Sequence, residues 1–204
     1  FLPVVVGLVL SLTNYDGFGQ MEFTGLKNFT RLFQDDYFYT ALKNNIYYTV
    51  LSVSLTLIIA LALAVLLQQK LKGSEIFKTI FFFPQLTSSV AFGIIFMALF
   101  RGEGPVNGVL EWLGAVDPPR WLTSTAWSMT TIVIVSVIKN FGYYMVLFIA
   151  GLQGIPEDLY EAASLDGANM WKKFKYITLP MLSPTMFMVT ILALISSFQV
   201  FDLI

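Results

Sequence analysis

Four apolar runs constrain this chain more than any other feature: Ala41–Leu67, Lys78–Phe100, Thr125–Leu152 and Met181–Ile204. Each exceeds the roughly 20 residues that an α-helix needs to cross the hydrocarbon core of a bilayer. Inside lipid no water is present to satisfy backbone N–H and C=O groups, so only helices and closed barrels can span. The runs lack the alternation of a barrel strand, which leaves helices. A shorter apolar run, Phe1–Leu12, precedes them and reads as the outer half of a further helix. The expected fold is therefore all-α, a polytopic helical membrane protein with five helices. It forms one domain over residues 1–204, cut at both ends. Charged residues make up 12% of the chain, about half the share of a soluble domain.

Basic residues in the connections orient the helices. Lys70, Lys72 and Lys78 fall in or beside one loop, and Lys172, Lys173 and Lys175 in another. The other two connections hold Lys27 and Arg31, then Arg101 and Arg120, diluted by acids. The first pair is expected on the cytoplasmic side. Trp112, Trp121 and Trp127, around the second outer loop, suit an interfacial aromatic belt.

Composition removes several function classes. The chain has no Cys and no His, so Ser-His and Cys-His nucleophilic pairs are excluded and a transition-metal site is not expected. A net charge of −1 argues against nucleic acid as a partner. An ion-gradient-driven secondary transporter would need intramembrane acids, and the spanning runs offer only Asp202. An intramembrane enzyme lacks an evident acid–base pair.

Polar groups inside spanning helices tend to face a cavity or one another. The candidates for a solute path are Gln85, Thr87 and Ser88; Lys139, Asn140 and Tyr143; and Ser196, Ser197, Gln199 and Asp202 beside Phe198. Pro84 must free a carbonyl and kink its helix. Two readings of Pro84–Ser89 stand: a packing kink, or a polar bend facing a central cavity. Lys139 falls near mid-helix, where a charge costs about 3 kcal/mol on insertion scales. It is expected either to pair with a carboxylate or carbonyls, or to face the pore and favour an anionic solute.

The connection 153–180 is far longer than two spanning helices require. Pro156, Glu157 and Asp158 form a helix start, with acids at the positive end of the dipole. Gly167 supplies a turn, and a second amphipathic stretch follows from Asn169 to Tyr176. Pro180 marks the start of the next membrane helix. Such an element either rests on headgroups or docks into a partner's groove.

Glu161-Ala162-Ala163, then Gly167, then Ile177-Thr178-Leu179-Pro180 resembles, with every spacing intact, the "EAA" motif of the membrane subunits of binding-protein-dependent ABC importers. Ala150-Gly151-Leu152-Gln153, Ile155-Pro156 and Leu159-Tyr160 extend the likeness toward the carbohydrate-uptake branch, of the maltose and glycerol-phosphate type. So do Phe23-Thr24-Gly25-Leu26-Lys27-Asn28-Phe29 and Gly104-Pro105-Val106-Asn107.

The resemblance implies a type I ABC importer transmembrane-domain fold with about five of its six core helices present. It places the chain in a bacterial or archaeal cytoplasmic (inner) membrane, as a multi-pass subunit among lipid. The implied partners are a second homologous permease, an ATPase subunit dimer and an extracellular or periplasmic solute-binding protein. Residues 153–180 would be the coupling loop, with Glu161, Ala162, Ala163, Asp166, Gly167, Leu179 and Pro180 engaging the ATPase or passing on its motion. The resemblance also favours Ser197, Phe198 and Gln199 for a sugar pocket. No phosphate loop of the G-x-x-x-x-G-K-[ST] type is present, so no cofactor is expected in this chain and ATP-Mg would be used by the partner.

Overall fold

The computed structural model describes residues 1–19, 21–68 and 73–199, and divides into two compact units, Phe1–Tyr47 and Tyr48–Ile204. Among the described residues there is no strand, only an isolated antiparallel bridge between Thr13 and Phe23.

In the first unit α1 (Leu2–Ser11) is stitched to the chain that follows it. The Asn28 side-chain amide donates to the carbonyls of Ser11 (3.0 Å) and Thr13 (2.7 Å), groups at and just past the end of the helix that lack helical donors. The Thr24 N–H donates to Leu12 O at 2.9 Å, and Gly25, at φ +61°, makes the turn into α2 (Lys27–Leu32). The Phe23–Phe29 string thus has a local physical role. α3 (Asp36–Gln68, 33 residues) begins here and continues into the second unit.

The second unit is organised around α7 (Ser128–Gln153), whose most apolar stretch is 56% buried, against 28% for α3. Val53, Ala60, Ala64 and Leu67 of α3 pack with Met145, Phe148, Ile149 and Leu152 of α7. Leu182, Val189 and Ala193 of α10 (Leu179–Phe198) complete this core. The alanines and glycines matter because helices in lipid associate by close packing, which small residues permit.

The run Lys78–Phe100 is not one helix. It folds as α4 (Ser74–Leu86) and α5 (Ser89–Leu99), bent by 101°. Pro84 stays inside α4, and the reversal follows it, at Thr87 and Ser88, whose ψ values of 139° and 136° are extended. Proline removes a donor from the last turn, and the β-branched and short polar residues after it propagate a helix poorly.

After the broken span Gly104 precedes α6 (Pro105–Trp112), with Pro105 at its first turn. A side chain at Gly104 would collide with the carbonyls of Leu99 and Ala98. Asn107 is buried, donating to Gly102 O (2.9 Å) and accepting from Trp121 Nε1 (2.7 Å).

The last membrane helix departs from expectation in a useful way. The stretch after Gly167 is not separate from it. α9 (Met170–Lys173), a π-helical turn over Phe174–Thr178 and α10 run on as one apolar helix of 29 residues, Met170–Phe198. Pro180 therefore lies within a continuous helical run just past the π turn, and its missing N–H leaves the carbonyl of Tyr176, inside that turn, without its usual donor.

α4 and α7 form the largest interhelical contact, and at Gly142 a β-carbon would overlap the carbonyl of Phe81. Overpacking of this kind costs about 1–3 kcal/mol. Gly142→Val should lower the yield of monodisperse protein in size-exclusion chromatography by roughly tenfold. Gly108→Ala, where the space is open, should leave the yield unchanged.

Candidate functional site

A cavity of about 220 Å³ lies inside the second unit, with walls from α3, α4, α5, α7 and α10. From α3 come Tyr48, Ser52 and Thr56, spaced by four so that they share one face. Gln85 and Ser89 contribute from either side of the broken span. α7 supplies Ser136, Lys139, Asn140 and Tyr144, and α10 supplies Ser196, Ser197 and Gln199.

Hydrogen bonds fix several of these groups. The Tyr48 hydroxyl donates to Ser136 Oγ at 2.7 Å, tying α3 to α7. Asn140 Nδ2 donates to Ser136 O at 2.8 Å, which holds the amide along its own helix. Ser197 Oγ donates to Leu194 O (2.7 Å) and to Thr49 Oγ1 (3.2 Å). Lys139 is buried, and its Nζ donates to Thr87 O at 2.8 Å. Gln85 Oε1 is buried without a hydrogen-bond partner among the described residues. It is an acceptor suited to a hydroxyl or amine brought in by a solute.

Six sequence-predicted residues thus meet in one cavity: Gln85, Lys139, Asn140, Ser196, Ser197 and Gln199. Tyr143 and Phe198 lie outside it. Tyr143 packs against the apolar core, and Phe198 is exposed on α10. One residue step turns a helix by about 100°, so the adjacent Tyr144 and Ser197 take the inward positions. Thr87 contributes its carbonyl and Ser88 leads into α5, while Asp202 lies outside the described residues. Sequence reasoning missed Tyr48, Ser52, Thr56, Ser136 and Tyr144. The period-four polar face of α3 was the signal that could have found three of them.

A second candidate element is α8 (Glu157–Leu165) with the turn and short helix after it. Gly167 has φ +73°, and the Ala168 N–H reaches back to Ala163 O at 2.9 Å, closing the helix end. Asn169 starts α9 by accepting from the Lys172 N–H at 2.9 Å. Two contacts hold the helices together: Tyr160 Oη with Thr178 Oγ1 at 2.9 Å, and Lys173 Nζ donating to Ser164 Oγ at 2.6 Å. Tyr160 and Ala163 are half-buried and Thr178 is buried. Glu161, Ala162, Asp166 and Gly167 remain exposed, beside a Leu165 that is 90% exposed. Leu179 is half-buried and Pro180 exposed, both at the start of α10.

A bundle of apolar helices enclosing a polar cavity, with an organised polar element on one flank, defines a membrane transport subunit. Residues 54–204 match the family described as "Binding-protein-dependent transport system inner membrane component", and the chain belongs to that family. It is therefore a multi-pass inner-membrane permease component. It is 38% identical to the lactose transport system permease protein LacF of Rhizobium radiobacter, over 98% of this chain and 67% of that protein. It is 39% identical to the arabinooligosaccharides transport system permease protein AraP of Bacillus subtilis, over 90% of this chain and 59% of that protein. Among solved structures, a bacterial alginate ABC transporter in complex with alginate pentasaccharide-bound periplasmic protein matches with a TM-score of 0.82. That match has 26% identity and covers 95% of this chain and 65% of that one. The chain spans about two thirds of the length of the relatives it matches.

The Tyr160–Thr178 contact joins α8 to the helix that lines the cavity. Tyr160→Phe and Thr178→Val should each lower the solute carried per ATP hydrolysed by the assembled transporter, by about fivefold, as expected for a hydrogen bond of about 1 kcal/mol. The double variant should be no worse than either single one, because both remove the same bond. Fully additive losses would show that the two side chains act separately.

Proposed function

We propose that this chain forms, with a second homologous permease, the membrane path by which a sugar or related polyhydroxyl solute is imported. The solute arrives from an extracellular or periplasmic binding protein, and an ATPase dimer that holds ATP-Mg drives the cycle. One observation carries the reading: the exposed α8–Gly167–α9 element is continuous with the helix that lines the cavity.

The roles follow from local chemistry. Glu161 forms no ion pair among the described residues and offers its carboxylate to donors of the ATPase. Ala162 presents little bulk, so the helix can approach a cleft closely, and Leu165 supplies an apolar contact. Ala163 faces inward, and Gly167 and Asp166 close the helix end. Leu179 and Pro180, just past the π turn, pass the displacement into α10, which carries Ser197 and Gln199 at its far end. Movement of α8 is thereby converted into a change in the cavity, a rigid-body form of gating.

The cavity presents hydroxyls, amides and one ammonium, a set that hydrogen-bonds sugar hydroxyls well. Relatives named for lactose and arabinooligosaccharides fit that chemistry. The chain contains no phosphate loop, His or Cys, which supports a subunit without a catalytic site or cofactor of its own.

In membrane vesicles supplied with the binding protein and the ATPase, uptake should stop when ATP is depleted at constant ion gradients. Persistent uptake would sink the reading and favour an ion-driven carrier. Gly167 tests the coupling element more finely. Its surroundings are open, so a substitution meets only the backbone penalty at φ +73°, about 1–2 kcal/mol for most side chains. Gly167→Leu should abolish uptake and weaken co-purification of the ATPase, while Gly167→Asn, which tolerates that backbone, should keep much of both. Equal activity of the two variants would remove the turn from the mechanism.

A further inference from the structure

We propose that Lys139 is a positioning residue whose ammonium group pins the two halves of the broken span at their 101° bend, and so sets the shape of the cavity. The proposal rests on the cavity being the solute path.

Lys139 sits in the middle of α7 at 7% exposure, where a bare ammonium group is strongly disfavoured. It forms no ion pair among the described residues. Its partners are of another kind. Nζ donates to the carbonyl of Thr87 at 2.8 Å, and it lies 5.2 Å from the ring centroid of Phe92. Thr87 is the C-cap of α4, so its carbonyl belongs to the negative end of that helix, where no helical N–H follows. Phe92 is buried in the first turn of α5 and stacks on Phe96, with centroids 4.5 Å apart.

One amine therefore holds the end of α4 by a charge-assisted hydrogen bond and the start of α5 by a cation–π contact. Both contacts originate from α7, so the three helices are referenced to a single group. A break in a spanning helix needs such a donor, because lipid offers none to the carbonyls that the break exposes. Gln85 and Ser89 stand on opposite sides of the break and both line the cavity. The angle held by Lys139 thus decides where the unpartnered Gln85 acceptor points.

The test uses the assembled transporter in vesicles, with Lys139→Met, Lys139→Gln and Lys139→Arg. Ser89→Cys serves as a reporter, since this chain has no cysteine of its own. Lys139→Met should lower maximal uptake by about tenfold or more, the scale of a lost charge-assisted hydrogen bond. It should also change the rate at which a small water-soluble maleimide labels Ser89→Cys on this subunit, by about fivefold, as the bend relaxes. Lys139→Arg keeps a cation and donors and should restore both readouts to within about threefold. Should Lys139→Met not accumulate in the membrane, the order Arg above Gln on the same readouts carries the decision.

Uptake and labelling of Lys139→Met at wild-type levels would overturn the proposal, as would Arg and Gln failing alike. A rise in half-saturating concentration confined to anionic solutes, with labelling unchanged, would also overturn it and make Lys139 a solute contact. Labelling needs no ATP, so absence of ATP-dependent uptake by the wild type would sink the importer reading and leave the labelling comparison standing.

Discussion

Every carbonyl and N–H that this chain carries into the membrane must find a partner within the protein, and most of its architecture answers to that demand. Regular helix satisfies the groups along α3, α7 and α10. The informative places are those where regular helix fails. At the end of α4 the exposed carbonyl of Thr87 is met by Lys139. Near Pro180 the ladder shifts to a π turn, and Thr178 Oγ1, next to the clasp with Tyr160, lies 3.4 Å from Lys173 O. In the first unit the carbonyls at and just past the end of α1 are met by Asn28. Polar side chains in this chain thus serve helix ends as well as lining the cavity.

The same demand explains where function can reside. A broken span is tolerated in lipid only where it is buried in protein or borders a polar cavity. The break between α4 and α5 does border one, with Gln85 and Ser89 on its wall. α7 packs against α4 at Gly142 without room for a side chain, and against α10 where Gly151 meets Leu182 and Thr185. α10 is the element with reach, since it joins the coupling segment at one end to Ser197 and Gln199 at the other.

Much of the coupling segment was legible in advance because its signals are local. Pro156 with two acids, Gly167 at a turn and Asn169 before a short helix each act within four residues, and each adopted the expected form. The polar cavity was legible only in part. Gln85, Lys139, Asn140, Ser196, Ser197 and Gln199 stand out as polar residues in apolar runs, and they converge. Tyr144 rather than Tyr143 faces inward, a choice of helix rotation that adjacent tyrosines do not reveal. Of the two readings of Pro84–Ser89, the polar bend beside a cavity is the one the structure takes, although the sequence did not choose between them. Pro84 announces a disruption, but the chain turns where Thr87 and Ser88 become extended, and that depends on what α7 offers to receive them.

The sequence by itself determined that the chain crosses a membrane as helices and where the organised segment turns. Hydropathy and capping are properties of short stretches and need no distant partner. Only the tertiary structure decided that the second span is broken, that the stretch from Met170 runs on without interruption into α10, and that Lys139 meets a carbonyl instead of a carboxylate. Those outcomes depend on contacts between residues far apart in the chain, such as Lys139 with Thr87 and Tyr160 with Thr178. A buried charge or a freed carbonyl signals that a partner must exist; packing alone chooses which one.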